Sequence, residues 1–344
     1  MTLKEHLANK KILFFSVKTF NLEVEIKNKL EELSANVTYY DERPADNNFI
    51  KGIIRLKRSL VQKRIDSYYR KILLAEETRQ FDYVFVNRGE IVPAFFLEEL
   101  KKTQSNCQFI FFTWDSFKNH AHAITILKYF DRKFTFDPED ASLYKIYFRP
   151  LFYLDAYKNL LHLPTKYKIL FLGTAHSDRY KISTSIKNWA LNNNLTCFCY
   201  YFMHGRLVYF YKFFFDKTFK EFKYSQLSFK SLDLKQVVKL YQQSEIILDI
   251  NHPNQKGLTM RTFEAIGAKR KLITTNKEIT KYPFYDHKNY LIIGRNDIEI
   301  NLDFINSNYQ TLNPMLYDKF SIEGWLYNLF VDAEESFWNK YKQL

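Results

Sequence analysis

The sequence predicts an α/β protein made of two open parallel sheets, each with helices on both faces. Three observations carry that reading. Apolar runs of strand length alternate with helical patterns through the first half of the chain. The alternation restarts at Lys168-Ile169-Leu170-Phe171-Leu172-Gly173. Residues 246–276, IILDINHPNQKGLTMRTFEAIGAKRKLITTN, then read as strand, loop, helix and strand in unbroken succession.

Taken in order, Lys11-Ile12-Leu13-Phe14-Phe15-Ser16-Val17 is a first strand, an apolar run of strand length. Residues 22–33 form a helix with apolar positions at 22, 26, 30 and 33, and 37–40 a second strand. A long basic helical segment spans 49–79, with Lys51, Arg55, Lys57, Arg58, Lys63, Arg64, Arg70 and Lys71. These cations are expected to be a solvated face, with docking to anionic lipid or a charged glycan as the alternative. The third strand, Tyr83-Val84-Phe85-Val86-Asn87, ends at Arg88-Gly89-Glu90, and Pro93 opens the next helix. The fourth, Phe109-Ile110-Phe111-Phe112-Thr113, ends at Trp114-Asp115-Ser116. A fifth covers 133–136, and 147–153 with Pro150 read as the exit to a linker.

In the second half a helix over 179–191, a strand over 196–202 and a helix over 232–244 lead into the 246–276 unit. The boundary falls within 155–165, giving domains of 1–160 and 161–320 and a closing helical segment of 321–344. No short-period repeat occurs.

The 246–276 unit offers a phosphate site. Its loop and helix start lie at the carboxyl end of a parallel strand, where such sheets bind ligands. Gly257 opens the helical pattern, and the backbone N–H groups and helix dipole at Gly257, Leu258 and Thr259 favour an anion. Arg261 can fork onto phosphate oxygens, and Glu264 can accept from ribose hydroxyls. The bland reading makes Arg261 and Glu264 an exposed i,i+3 pair worth only ~0.2–0.5 kcal/mol. Gly267 is placed to stop the helix in a left-handed cap.

The pattern G-L-x-x-R-x-F-E-A-x-G followed by L-I-T-x-N resembles the donor-site motif of GT-B glycosyltransferases. It is carried by Gly257, Leu258, Arg261, Phe263, Glu264, Ala265, Gly267, Leu272, Ile273, Thr274 and Asn276. It is most similar to the spore-maturation-type, "glycosyl transferases group 1" subset of bacterial surface-polysaccharide biosynthesis. The resemblance covers roughly 165–320; the first domain matches in architecture and around Asp115. It implies two Rossmann-like doubly wound domains facing a central cleft, the acceptor on the first and the nucleotide sugar on the second. It also implies a terminal helix crossing back onto the first domain. The glutamate would hold the ribose, and the loop and helix start the diphosphate. The large retaining enzymes carry a second glutamate eight positions earlier, where this chain has Lys256, so retention of configuration is not implied.

Other residues follow from the same chemistry. Gly173 ends the first strand of the second domain, and Arg179 begins the helix after it, which makes both donor-site candidates. His252, in the motif loop, is within range of a phosphate. Inverting transfer needs a base for the acceptor hydroxyl. Asp115 is the foremost candidate, with Glu90 and His120 behind it; its alternative role is a cap for a helix at Phe117. Asn254, Gln255 and Lys256 lie where sugar contacts are plausible. No Asp-x-Asp pair is present, and Arg261, Arg179 and the helix dipole can offset a leaving diphosphate. The expectation is a metal-independent enzyme with no cofactor.

Composition narrows the partners. The 344 residues are 46% hydrophobic and 26% charged, which suits a globular protein with two cores. Aromatics make up 18% and the formal charge is +13, a surface suited to anionic partners. No nucleic-acid reader motif is present. Cys107, Cys197 and Cys199 are an odd set without zinc spacing, which favours packing roles and a reducing compartment. The start, MTLKEHLANKK, lacks a signal-peptide core, and no run approaches the ~18 apolar residues of a membrane span. The aromatic, lysine-rich segment 207–224 is expected to pack as a helix on the sheet, with a bilayer-interface position as the alternative.

Together these predict a cytoplasmic glycosyltransferase, in part at the inner face of the membrane. Its substrates would be a nucleoside-diphosphate sugar and a capsule, O-antigen or lipooligosaccharide acceptor, free or lipid-linked. The alternatives are a nucleotide-sugar epimerase and a non-catalytic nucleotide-sugar-binding protein.

Overall fold

The computed structural model describes residues 2–44, 58–158, 160–161, 163–216, 219, 221–253 and 255–341. The chain forms two units, Met1–Pro150 with Ile322–Leu344, and Leu151–Ser321. The first crossing thus falls at 150/151, before the expected boundary. The segment 147–153 is not wholly an exit: Tyr147–Phe148 is a sixth strand. Residues 49–57 of the basic segment lie outside the described residues.

The first unit holds one parallel sheet in the order β2-β1-β3-β4-β5-β6. Its strands are Lys11–Ser16 (β1), Asn36–Asp41 (β2), Tyr83–Asn87 (β3), Gln108–Thr113 (β4), Arg132–Thr135 (β5) and Tyr147–Phe148 (β6). Because both faces are covered, the central strands are continuous apolar runs rather than alternating ones. On one face Phe15 meets Tyr69 and Phe96, from the helices Gln62–Ala75 and Ala94–Thr103. The other face is covered by the terminal helix Ile322–Phe330, whose Trp325 ring packs edge-on to Phe112 at 5.0 Å. Arg132 fastens that helix by donating to the carbonyls of Asn328 and Val331.

The second unit repeats the plan in the order β12-β11-β10-β7-β8-β9. The strands are Tyr167–Thr174 (β7), Cys197–Phe202 (β8), Leu227–Ser228 (β9), Ser244–Asp249 (β10), Lys271–Thr274 (β11) and Tyr290–Ile292 (β12). Every pairing in both sheets is parallel. In each sheet the chain lays its first strand centrally, builds outward on one side, then returns to the other. The reversal leaves a topological switch point, at β1/β3 in the first unit and β7/β10 in the second. Both halves are Rossmann-like doubly wound α/β units, the GT-B architecture.

Two local expectations are corrected. The helix of the motif runs Met260–Gly267 and starts at the Thr259 cap, not at Gly257. Gly267 is no left-handed cap, since that conformation falls on Lys269 (φ 52°). Gly267 serves packing instead: a Cβ there would lie 2.6 Å from the Tyr153 ring. Gly205 is the contrast, with only Val208 near, at 3.9 Å. Chemical denaturation of Gly267→Ala should therefore show a loss of about 1–3 kcal/mol from overpacking, while Gly205→Ala stays within about 0.5 kcal/mol of the native protein.

Candidate functional site

In the second unit the candidate donor residues gather at the carboxyl ends of β7 and β10. β7 turns after Thr174 through Ala175, His176, Ser177 and Asp178 into the helix Arg179–Asn192. Gly173 makes room for Arg179, because a Cβ would come within 3.3 Å of a guanidinium nitrogen and 2.7 Å of the Phe171 ring. Arg179 ties the two strand ends together, its Nε donating to the Ile250 carbonyl at 2.8 Å and Nη1 to that of Thr174 at 3.2 Å. Burial pulls this guanidinium down to about 10, against the attraction of the nearby Asp249 carboxylate.

Asp249 ends β10 and is buried. Its Oδ2 accepts from the hydroxyls of Thr259 (2.8 Å) and Thr262 (3.1 Å), pinning the first turn of the Met260–Gly267 helix to the strand. Thr259 also caps that helix, accepting from the Arg261 N–H at 3.1 Å. Burial raises the Asp249 pKa, while the two hydroxyls and Arg179 oppose it.

Arg261 and Glu264 are neither exposed nor an isolated pair. Arg261 Nη1 donates to Glu264 Oε2 at 2.6 Å, with the side chains only 23% and 14% exposed. The buried Tyr241 hydroxyl donates to the same oxygen at 2.9 Å and lies 3.2 Å from Arg261 Nη1. Burial, then the charge of Glu264, pushes the Tyr157 phenol up as well, which places a second tyrosine beside the carboxylate. Burial works against the Arg261 cation, but Glu264 and the tyrosines together raise its pKa. The solvated-pair magnitude of ~0.2–0.5 kcal/mol does not describe this buried network.

The loop between them is built from side chains. Gln255 Nε2 donates to the Gly257 carbonyl at 2.9 Å and Asn276 Nδ2 to that of Lys256 at 3.2 Å, while Gly257 and Leu258 are buried. Lys256 itself is exposed, its Nζ 3.8 Å from Glu278. Asn254 lies outside the described residues. The His252 ring is 5.9 Å from that of His176. Burial and the cations Arg179 and Lys212 hold His176 down at about 3, so it stays neutral. Sequence reasoning missed Arg295. Its Nη1 meets both oxygens of Asp178 at 2.8 Å, and its Nη2 donates to the Asn251 carbonyl and Oδ1 at 2.7 Å. Its only signal was a Gly-Arg pair just after an apolar run, at Gly294-Arg295.

In the first unit the structure brings Asp115, Glu90 and His120 into one charged cluster. Its centre is Arg88, held at φ 105° just beyond β3. Arg88 Nε lies 3.0 Å from Asp115 Oδ2, in ion-pair range though off the line of a hydrogen bond. Its Nη2 contacts His120 Nε2 at 2.6 Å, and His120 is 3.5 Å from Asp115 and 3.9 Å from Glu90. Glu90 is sealed by Arg43, whose Nε donates at 2.9 Å. The Asp115 side chain is 31% exposed and that of Glu90 4%, so Asp115 is the more accessible carboxylate. Asp115 does not cap a helix at Phe117. Phe117 begins a turn, and its N–H donates to Asp140 at 2.7 Å.

Two buried polar groups at these strand ends were not legible in the sequence. Glu42, just past β2, is buried and accepts from the Gly89 and Glu90 N–H groups at 2.9 and 2.7 Å. Burial and the neighbouring Glu90 charge push it up to about 7, against those two donors and Arg88. Asn87, the last residue of β3, is buried with neither side-chain nitrogen nor oxygen partnered among the described residues. An orphaned buried amide costs about 1–3 kcal/mol, and its place at a switch point suits a ligand's polar group. No group of three or more His, Cys, Asp or Glu among the described residues is arranged to hold a metal ion. No described helix is long and apolar enough to cross a membrane.

Among protein-family models and curated protein sequences, none matches this chain. Solved structures do. A Listeria monocytogenes protein provisionally described as a UDP-N-acetylglucosamine 2-epimerase aligns at 12% identity over 96% of this chain and 98% of its own, with a TM-score of 0.52. A glycosyltransferase of Rickettsia africae aligns at 14% identity over 97% and 98%, TM-score 0.46. The UDP-GlcNAc 2-epimerase of Methanocaldococcus jannaschii, in complex with UDP-GlcNAc and UDP, aligns at 11% over 90% and 97%, TM-score 0.48. At such identities the likeness to the Listeria protein is one of fold alone.

Glu42 gives the first unit a pH signature. Its folded pKa lies above the ordinary glutamate value of 4.5, so its contribution is complete below that value and is lost as pH rises through about 7. Thermal unfolding of the native protein should weaken between pH 5 and pH 8 by up to roughly 3 kcal/mol from this group. Glu42→Gln should flatten that slope.

Proposed function

We propose that the protein is a glycosyltransferase that moves a sugar from a nucleoside-diphosphate donor to a glycan hydroxyl. The observation that carries this is the Arg261–Glu264–Tyr241 network at the first turn of the helix after β10, with Arg179 beside it at the β7/β10 switch point. A carboxylate held by two phenols and a guanidinium is oriented to take ribose hydroxyls. The Gly257–Thr259 turn, with Arg179, Arg261 and His252, supplies donors for a diphosphate. The Arg179 and Arg261 cations offset the charge of the leaving diphosphate, so the transfer is metal-independent and insensitive to EDTA.

In the reaction the acceptor oxygen attacks the anomeric carbon, the bond from that carbon to the diphosphate oxygen breaks, and the hydroxyl proton goes to a base. Asp115 is that base, with Arg88 and His120 fixing its carboxylate and Glu90 behind them. The motif resemblance points the acceptor towards a bacterial surface glycan of capsule, O-antigen or lipooligosaccharide type, free or lipid-linked. The second reading, nucleotide-sugar epimerisation, is favoured by the fold likeness to the Listeria protein.

Calorimetry against a panel of nucleoside diphosphates should find one binding at micromolar level. Glu264→Ala should weaken it at least tenfold, about 1.4 kcal/mol. No binding by the native protein to any of them would end the reading. Asp115→Asn should keep that affinity while turnover falls by about 10²–10⁴. Free nucleoside diphosphate that appears only with a glycan acceptor supports transfer; an isomerised nucleotide sugar formed without acceptor supports the epimerase.

A further inference from the structure

The helix Arg206–Phe215, which follows β8 in the second unit, has its amphipathicity reversed. At the helical repeat, Leu207, Phe210, Tyr211, Phe214 and Phe215 share one arc of about 140°. That arc faces water: the five are 85%, 50%, 66%, 70% and 75% exposed. It carries no charge. The inward face holds Tyr209, buried against Phe219 and Tyr224, and Lys212, whose Nζ is 5.5 Å from the centre of the Phe219 ring. Tyr224 stacks 6.3 Å from Phe210 and widens the patch. The expected helix over 207–224 stops at Phe215, and its inward face packs on Phe219 and Tyr224 of the segment that follows.

The surroundings are basic. Residues 204–230 contain six lysines and arginines against two acids, and Arg206, Lys223 and Lys230 are exposed. We infer that this helix docks on an anionic lipid surface. Its rings seat at headgroup depth, and the flanking cations meet lipid phosphates. A second copy of the chain fits less well. Four exposed rings offer on the order of 500 Å², short of the ~800 Å² per partner of a stable protein interface. A symmetric pairing would also oppose like-charged rims.

The helix lies beside the candidate nucleotide site, since Lys212 and the neighbouring His204 both bear on the charge of His176. The inference stands on the helix and not on glycosyl transfer.

The test is vesicle flotation of the full chain, with phosphatidylcholine alone and with phosphatidylcholine containing a third phosphatidylglycerol, at low and high salt. The native protein should float with the anionic vesicles and release at high salt. A Leu207→Ser/Phe214→Ser/Phe215→Ser variant should lose flotation by roughly tenfold or more, while keeping native thermal unfolding and nucleotide affinity. Separately, Phe214→Trp should show blue-shifted emission on anionic vesicles. No flotation by the native protein, equal flotation on both lipids, equal flotation by the triple variant, or unshifted tryptophan emission would each overturn the inference. So would a solution dimer that the triple variant dissolves with no native vesicle binding. Nucleotide binding in the same samples keeps the two failures apart: its loss strikes the glycosyltransferase reading, and loss of flotation strikes only docking.

Discussion

The second unit's site depends on the buried carboxylate of Asp249. A charge buried at a strand end is costly unless fully engaged, and here the neighbours that compensate it include the candidate donor residues Thr259 and Arg179. Thr259 and Thr262 meet it with their hydroxyls, which fixes the angle at which the Met260–Gly267 helix leaves β10. Arg179 balances it across the switch point while bonding to the Ile250 and Thr174 carbonyls. A charge-assisted hydrogen bond is worth about 1.5–3 kcal/mol against about 1 for a neutral one. The helix start is therefore held more firmly than its cap alone would hold it. That firmness lets Arg261 and Glu264 present one geometry, since both rise from the turn that Asp249 anchors.

The first unit solves the same problem with a different residue. Glu42, just past β2, receives the Gly89 and Glu90 N–H groups beyond the end of β3, across the end of β1, and so holds a turn whose Arg88 sits at φ 105°. A left-handed, non-glycine residue costs on the order of 1–3 kcal/mol and persists only where its surroundings over-determine it. Arg88 earns that position through Asp115 and His120, which it draws into one cluster. Each unit thus places a buried carboxylate beneath an arginine at its switch point. In the second unit the carboxylate orders a helix start; in the first it orders a turn and a set of acid–base groups. Both candidate sites lie where the sheet reverses, because there the strand ends leave room for such clusters.

The net charge of +13 is not spread evenly in its consequences. The arginines inside the two clusters lie beside carboxylates and act on geometry. Those around the Arg206–Phe215 helix border an uncharged aromatic arc and act on the surroundings of the molecule. A helix with its apolar arc turned to water is unstable as a plain surface and reasonable as one that meets another phase.

The order of the central elements was legible in the sequence, because strands buried on both faces are written as unbroken apolar runs and the helices between them keep their own period; the short edge strands β6, β9 and β12 were not. So was the local grouping of the candidate motif: residues from Gly257 to Glu264 lie within one loop and helix start, and local spacing alone sets them together. The sequence even marked Asp115, Glu90 and His120 as strand-end groups. It did not reveal Glu42, Asn87 or Arg295, each of which acquires its role from strands distant in the chain. Glu42 is 47 residues from Gly89 and Arg295 is 117 from Asp178. The purpose of Gly267 was hidden for the same reason, since its constraint is the Tyr153 ring and not the helix end it occupies. The outward face of the 206–215 helix was hidden too, because its lysine turns inward and its aromatic rings on both sides do not say which side will be covered. Local periodicity and spacing determined the elements and the motif; burial, strand order and long-range charge pairing, which exist only once the sheets form, decided which groups meet and which face water.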